Sequence, residues 1–287
     1  MIESSTVGKV MMNLLFRAIT VLALSLAGVL AYMVAFEDQY IYFPDSELQQ
    51  TPVAFDLPFE ELTFRTSDGV MLHGWYMPHP DARFTVLHFH GNAGNISHRL
   101  HLYRRWHAFG LSVFAFDYRG YGKSEGKPGE DGLYEDGRAA WHELTDRLKT
   151  PPDSVIFAGR SLGSAVAANL STEMKAAGLA LETPFTSVPD MADHYYPWLP
   201  LRFFMQSRFD LLEAIKGNTA PLLIISAQDD EIVPTGMDER IFSAAGGPKT
   251  HHALPGGHND FDITSSQTYE QAWRGWLAGL AGGNWIN

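Results

Sequence analysis

The chain changes its pattern of apolar and polar positions three times. Residues 18–36 read AITVLALSLAGVLAYMVAF, nineteen residues without a charge and apolar on every side. A helix that packs on a soluble core keeps a polar stripe, and this run has none. At about 1.5 Å per residue it matches the ~30 Å hydrocarbon core of a bilayer. The pattern predicts a transmembrane anchor at 18–36, preceded by a short segment 1–17. Residues 37–58 carry Pro44, Pro52 and Pro58 and read as a linker lying over the domain that follows.

From residue 59 onward the pattern becomes that of a folded domain, 59–287. Residues 60–65 and 71–77 read as two strands joined at Ser67-Asp68-Gly69 in a hairpin. Apolar runs at 84–89, 112–116, 155–158, 179–181 and 222–226 read as buried strands, and stretches near 96–109, 132–148, 162–177 and 235–244 read as helices. Near-continuous apolar strands alternating with helices predict an α/β fold, a mostly parallel sheet covered by helices on both faces. Residues 184–219 break the alternation. Pro184, Pro189, Pro197 and Pro200 exclude one long helix there, while Tyr195, Tyr196, Trp198, Phe203 and Phe204 supply aromatics. Two readings stay open for this insertion, an aromatic piece of core or a small lid over a pocket.

Composition narrows the picture. Of 287 residues, 45% are apolar, enough for a sizeable core. The formal net charge of −12 makes nucleic acid a poor partner. There is no cysteine, which excludes disulfide scaffolds, thiolate metal sites and a cysteine nucleophile. Lys9 and Arg17 precede the apolar run. Glu37, Asp38, Asp45, Glu47, Asp56, Glu60 and Glu61 follow it, with no Lys or Arg before Arg65. Positive residues stay on the cytoplasmic side, so the N-terminus is expected inside and the large domain on the extracytoplasmic side. The alternative is a secreted protein released by cleavage near Val29-Leu30-Ala31, although the run exceeds the 7–15 residues of a usual signal h-region.

The chemistry centres on Gly159-Arg160-Ser161-Leu162-Gly163, a G-x-S-x-G pattern between a strand and a helix rich in small residues. A serine in such a sharp turn needs small neighbours and lies at a helix N-terminus whose N–H groups face the site. A serine hydroxyl needs a base. Of twelve histidines, His258 stands out in the glycine-rich Pro255-Gly256-Gly257-His258-Asn259-Asp260. Asp229 and Asp230 follow the run at 222–226 and offer a carboxylate to orient the imidazole. The order Ser161, Asp230, His258 is that expected of α/β hydrolases.

Together with His90-Gly91-Asn92-Ala93-Gly94-Asn95 and Asp117-Tyr118-Arg119-Gly120-Tyr121-Gly122-Lys123-Ser124, these segments resemble the α/β-hydrolase superfamily from about Tyr40 to the end. The chain is most similar to a small-lid, membrane-anchored branch related to depalmitoylase-like and serine-aminopeptidase-like proteins. The resemblance implies that the acid is Asp230, directly before Glu-Ile-Val-Pro, rather than Asp229. It implies an oxyanion hole built from the backbone N–H groups of Leu162 and Asn92. His88 and His90 invite a metal reading, but no third ligand and no H-E-x-x-H pattern accompany them. No cofactor and no metal are expected.

The expected function is a membrane-anchored serine hydrolase acting on esters or thioesters of apolar acyl groups, with a small-molecule or lipid-like acyl substrate. Peptide cleavage by the same trio is the alternative. A non-catalytic, membrane-tethered binding protein on a hydrolase fold is a third reading, whose usual mark would be a lost Ser, His or Asp.

Overall fold

Side chains on a strand alternate between two faces, and in this protein both faces are covered. The computed structural model describes residues 2–260 and 266–282. The strands are β1 Phe43–Pro44, β2 Glu60–Arg65, β3 Met71–Met77, β4 Thr85–Phe89, β5 Ala93–Gly94, β6 Ser112–Asp117, β7 Val155–Arg160, β8 Gly178–Glu182, β9 Leu222–Ala227 and β10 Lys249–Leu254. Eight form one sheet in the order β10-β9-β8-β7-β4-β6-β3-β2, while β1 and β5 pair separately. Strands β6, β4, β7, β8, β9 and β10 run parallel. The hairpin β2–β3 joins β6 antiparallel, with Tyr76 opposite Phe114.

The helices are α1 Ile2–Ala35, α2 Asp38–Ile41, α3 Leu100–Ala108, α4 Glu130–His142, α5 Leu162–Ser171, α6 Val188–Tyr195, α7 Leu211–Ala214, α8 Met237–Ala244 and α9 Ser266–Gly282. On one face, Leu87, Phe89, Phe114, Phe116, Phe157, Leu179 and Leu181 pack with Leu133 of α4, Val166 of α5 and Ile241 of α8. On the other, the intervening Val86, Val113, Ile156, Ala158 and Ala180 pack with Trp106 of α3 and Trp273 of α9. The period of two along each strand therefore builds two cores at once, and each fully buried aliphatic or aromatic residue contributes about 1.5–3 kcal/mol.

Helix α5 stops at Ser171, short of the 177 read from the sequence. The hydroxyls of Ser171 and Thr172 bond back to the carbonyls of Ala168 and Asn169, which competes with continuing the helix. Strand β10 and helix α9 do not stand out in the pattern of apolar and polar positions. β10 is an edge strand with Thr250, His251 and His252 at its centre, so it lacks an apolar run. α9 buries Tyr269, Trp273 and Trp276 at helical spacing, but Gly275, Gly279 and Gly282 dilute its helix propensity.

Helix α1 stands apart from both cores. Its stretch Gly8–Ala35 is 28 residues long, and the most apolar part of it has a mean hydropathy of 2.2 and is 0% buried. It is a candidate membrane span. Its last turns touch the domain, where Leu30, Met33 and Val34 pack against Ala192, Leu199 and Leu201 of the 184–219 insertion. That insertion contains the two short helices α6 and α7 with irregular chain between them.

Candidate active site

Four loops meet at the carboxyl ends of the parallel strands, where open α/β sheets bind their ligands. Ser161 directly follows β7 and has φ 50° and ψ −118°, a left-handed conformation that a residue with a side chain adopts only when its surroundings force it. The forcing is visible. The Ser161 N–H donates to the Glu182 carbonyl at 2.8 Å, and the Ser164 hydroxyl donates to the Gly159 carbonyl at 2.9 Å. A Cβ at Gly159 would lie 2.3 Å from the Gly163 carbonyl oxygen, and one at Gly163 would lie 1.9 Å from the Phe89 carbonyl oxygen. Both glycines are therefore required by close backbone approach, which brings the start of α5 against the end of β4.

His258 lies in the loop after β10 and is 5% exposed. Its Nδ1 donates to both oxygens of Asp230, at 2.8 and 3.0 Å. Asp230 also accepts from the backbone N–H groups of Ile232 and Val233, at 2.9 and 2.7 Å. Burial disfavours charge on this carboxyl, but the His258 ring and those two N–H donors outweigh it and hold the carboxyl below its ordinary value. Asp229 is exposed and its side chain takes no part in this arrangement. Two further groups fix the His258 backbone. The Glu231 carboxylate accepts from its N–H at 2.9 Å, and Arg160 donates to its carbonyl at 2.9 Å. Nothing in the sequence marks Glu231 and Arg160 as site residues beyond their places beside Asp230 and Ser161.

Asn92 follows β4. Its carbonyl accepts from the Phe43 N–H at 2.9 Å and from the Tyr121 hydroxyl at 2.8 Å, and its side-chain amide donates to the Ile41 carbonyl at 2.9 Å. Its backbone N–H is left as the uncommitted donor among the described residues. Leu162 is the first residue of α5, so its N–H belongs to the helix's unsatisfied set. Residues 37–58, read from their prolines as a linker, are thus bonded into the site. β1 pairs with β5 in the Asn92 loop, and Glu37 accepts from the N–H groups of Gln206 and Ser207 in the insertion. The Tyr121 loop, read as a structural turn, also reaches the site through that hydroxyl.

Ser161, His258, Asn92 and Leu162 line one cavity of about 580 Å³. Its walls are largely apolar, with Phe43, Phe185, Met191, Tyr195 and Val233 among them. Within the described residues, no hydrogen bond joins the Ser161 hydroxyl to His258. Such contacts are often open in sites without substrate and tighten when it binds. The insertion closes one side, where the Tyr195 hydroxyl at the end of α6 donates to the Ile232 carbonyl at 2.6 Å. His88 and His90 diverge. His88 bonds the Tyr103 hydroxyl at 3.0 Å and stacks near Trp106, whereas His90 donates to the Gly91 carbonyl at 2.7 Å between Tyr118 and Tyr121. Among the described residues, no group of three or more His, Asp or Glu side chains is arranged to hold a metal ion.

A mostly parallel sheet with an antiparallel hairpin at one end and a serine on a strained strand-to-helix turn defines an α/β hydrolase, and the chain belongs to that superfamily. The family model described as serine aminopeptidase, S33, matches residues 80–212, a span that holds Ser161 and Asn92 but neither Asp230 nor His258. Over nearly its whole length the chain is similar to the uncharacterized protein Rv2307c of Mycobacterium tuberculosis, 36% identical over 266 residues, covering 92% of this chain and 95% of that one. It is 34% identical to the alpha/beta hydrolase domain-containing protein WAV2 of Arabidopsis thaliana, covering 85% of this chain and 87% of that one. Among solved structures, the Pyrococcus furiosus esterase Pf2001 superposes with a TM-score of 0.71 at 20% identity, covering 82% of this chain and 98% of that one. At that identity the likeness establishes the fold alone.

Proposed function

We propose that this α/β hydrolase is a membrane-anchored serine hydrolase that cleaves carboxylic ester or thioester bonds of apolar acyl groups. The observation that carries this reading is the His258–Asp230 pair at 2.8 Å beside Ser161 in a largely apolar cavity. In this reading His258 Nε2 takes the proton of the Ser161 hydroxyl as its oxygen attacks the acyl carbon. Asp230, bonded to Nδ1, holds the ring's orientation and stabilises the imidazolium. The developing oxyanion is met by the N–H groups of Leu162 and Asn92, each such donor contributing about 2.7–4 kcal/mol in comparable sites. His258 returns the proton to the leaving alcohol or thiol, and the acyl group stays on Ser161. His258 then draws a proton from water, whose oxygen attacks the acyl carbon, and returns that proton to the Ser161 oxygen as the acyl–Ser161 bond breaks and the carboxylic acid is released.

The domain layout follows the same reading, with residues 18–36 as the anchor, 59–287 as the catalytic domain and 184–219 as its lid. The charge asymmetry around the anchor supports residues 1–17 in the cytoplasm and the catalytic domain outside it. Peptide cleavage is the second reading, and the name of the matching family favours it. An aminopeptidase needs an anionic group for the substrate's free amine, whereas the described residues lining the cavity include Arg99 and Arg160 and no carboxylate. That composition supports the ester reading.

The test is labelling with a fluorophosphonate probe, followed by turnover of a nitrophenyl acyl ester series and of aminoacyl arylamides. Wild type is expected to be labelled and to hydrolyse esters, and Ser161→Ala to do neither. Label retained on the Ser161→Ala protein removes Ser161 from its role. Arylamides turned over faster than every ester move the protein to the peptidase reading.

A further inference from the structure

The outer face of the insertion carries more apolar surface than a lid over a pocket requires. Trp198, Phe203 and Phe204 are 61%, 78% and 54% exposed, and none of them lines the cavity. Three large exposed aromatics within seven residues form a patch of the kind that marks a contact surface. On the inner side of the same stretch, Leu199 and Leu201 rest against Leu30, Met33 and Val34 of α1. The stretch that bears the three aromatics is therefore seated on the unburied apolar helix.

The height of that contact decides what covers the patch. The charge-free run ends at Phe36, and Leu30 lies six residues earlier, about 9 Å along the helix at 1.5 Å per residue. With residues 18–36 filling the hydrocarbon layer, a lid held against Leu30–Val34 lies a few ångströms to about 9 Å inside the end of that layer. Amphipathic segments that lie in the interface sit at about 5–10 Å. Tryptophan and other aromatics favour this zone. Arg202, the basic residue within the aromatic stretch, is paired with Asp193 and Asp190. Its long stem lets the paired head stay at headgroup level.

We infer that residues 196–205 are a second membrane contact, seated in the interfacial layer of the bilayer that holds α1. The mouth of the cavity then opens at the lipid surface. Tyr40, Phe43, Tyr195 and Ile232 line the cavity and are 48%, 51%, 48% and 39% exposed, so its rim is apolar as well. The substrate class follows. It is a long-chain acyl ester or thioester resident in the bilayer, whose chain enters sideways without crossing water. This rests on the anchor and on the ester hydrolysis proposed above, and it specifies the substrate of that site.

The experiment uses the full chain reconstituted in phosphatidylcholine vesicles, with and without lipids brominated on the acyl chain. Trp75, Trp106, Trp141, Trp273 and Trp276 are buried in the core and give a background that lipid bromine does not reach. The expected result is quenching in wild type of an emission component that Trp198→Phe lacks. Equal quenching in both proteins overturns the inference. So does a wild-type dimer in detergent that the triple variant Trp198→Ser/Phe203→Ser/Phe204→Ser dissolves, with no quenching by bromine, since a second copy then covers the patch. In the same triple variant, hydrolysis of a long-chain acyl ester held in vesicles should fall about tenfold or more, the effect of losing about 1.4 kcal/mol or more of interfacial seating. Hydrolysis of soluble nitrophenyl butyrate should stay within about twofold of wild type on the same scale. Equal losses on both substrates, or loss on neither, overturn the lateral route. Bromine quenching is independent of turnover, so failure of Ser161 labelling sinks the chemistry and leaves the docking result readable.

Discussion

Adding one methyl group at Gly163 tests the proposed site more sharply than removing one of its side chains, because it deletes no functional group. A Cβ there would stand 1.9 Å from the Phe89 carbonyl oxygen, 2.5 Å from its carbon and 2.6 Å from the His90 carbonyl oxygen. Carbon–oxygen contacts settle at about 3.3 Å or more, so the start of α5 and the end of β4 must separate by roughly 1.4 Å. All three atoms are backbone, and no flexible side chain can yield. Overpacking of this kind costs about 1–3 kcal/mol and sometimes more in stability. The functional loss is separate. Leu162 rides on α5 and Asn92 on the loop after β4, so the separation pulls the two proposed oxyanion donors apart. A misplacement of about 1 Å costs about a hundredfold in rate, or about 2.7 kcal/mol. Gly163→Ala should therefore melt earlier than wild type and lose about two orders of magnitude in kcat on a nitrophenyl ester. The control is Gly275→Ala on α9, where the new Cβ meets nothing within 4 Å. It should gain about 0.5–1 kcal/mol from helix propensity with kcat unchanged. A Gly163→Ala protein that is destabilised but keeps wild-type kcat refutes the assignment of the donors to these two elements.

Two further outcomes follow from the geometry. Asp230→Asn should lower kcat by about 10⁴, as loss of the orienting carboxylate does in comparable triads, while Asp229→Asn should leave it near wild type; steady-state kinetics showing the reverse would transfer the role. Burial pushes His90 down to about 4 from an ordinary 6.5, so as pH falls the unfolded chain takes up this proton before the folded protein does. The stability His90 contributes is complete above about 6.5 and lost as pH drops to about 4, a change on the order of 3 kcal/mol. Denaturant melts at pH 7 and pH 4 should show the difference between wild type and His90→Gln shifting by that amount, and a pH-independent difference would contradict it.

The parts that the sequence announces are those whose residue types are dictated by burial on both sides. Strands β4, β6, β7, β8 and β9 are covered by helices front and back, so they read as apolar runs and their centres are found easily. β10 has a neighbour on one side only and keeps polar residues at its centre, which hides it. The glycines around Ser161 are legible because they answer a local steric demand. Asp230 and Asp229 cannot be told apart by residue type. The difference lies in the turn that aims one carboxylate at the His258 ring and the other at solvent. Least legible are the contacts made by ordinary residues across long separations, such as the bonds from Ile41 and Phe43 to Asn92 and from Glu37 to Gln206 and Ser207. Nothing in a peptide amide or a lone glutamate records the partner it will meet.

Those bonds have a practical corollary. A water-soluble version of the enzyme would ordinarily be trimmed to the start of the sheet at Glu60, since the stretch before it resembles a dispensable leader. Trimming there would strip Asn92 of two of its three supports and release the 184–219 insertion from Glu37. A trimmed protein of that kind could keep its core and bind nothing productively, and its silence in a screen would say little about the parent. Cutting before Glu37 keeps the whole brace.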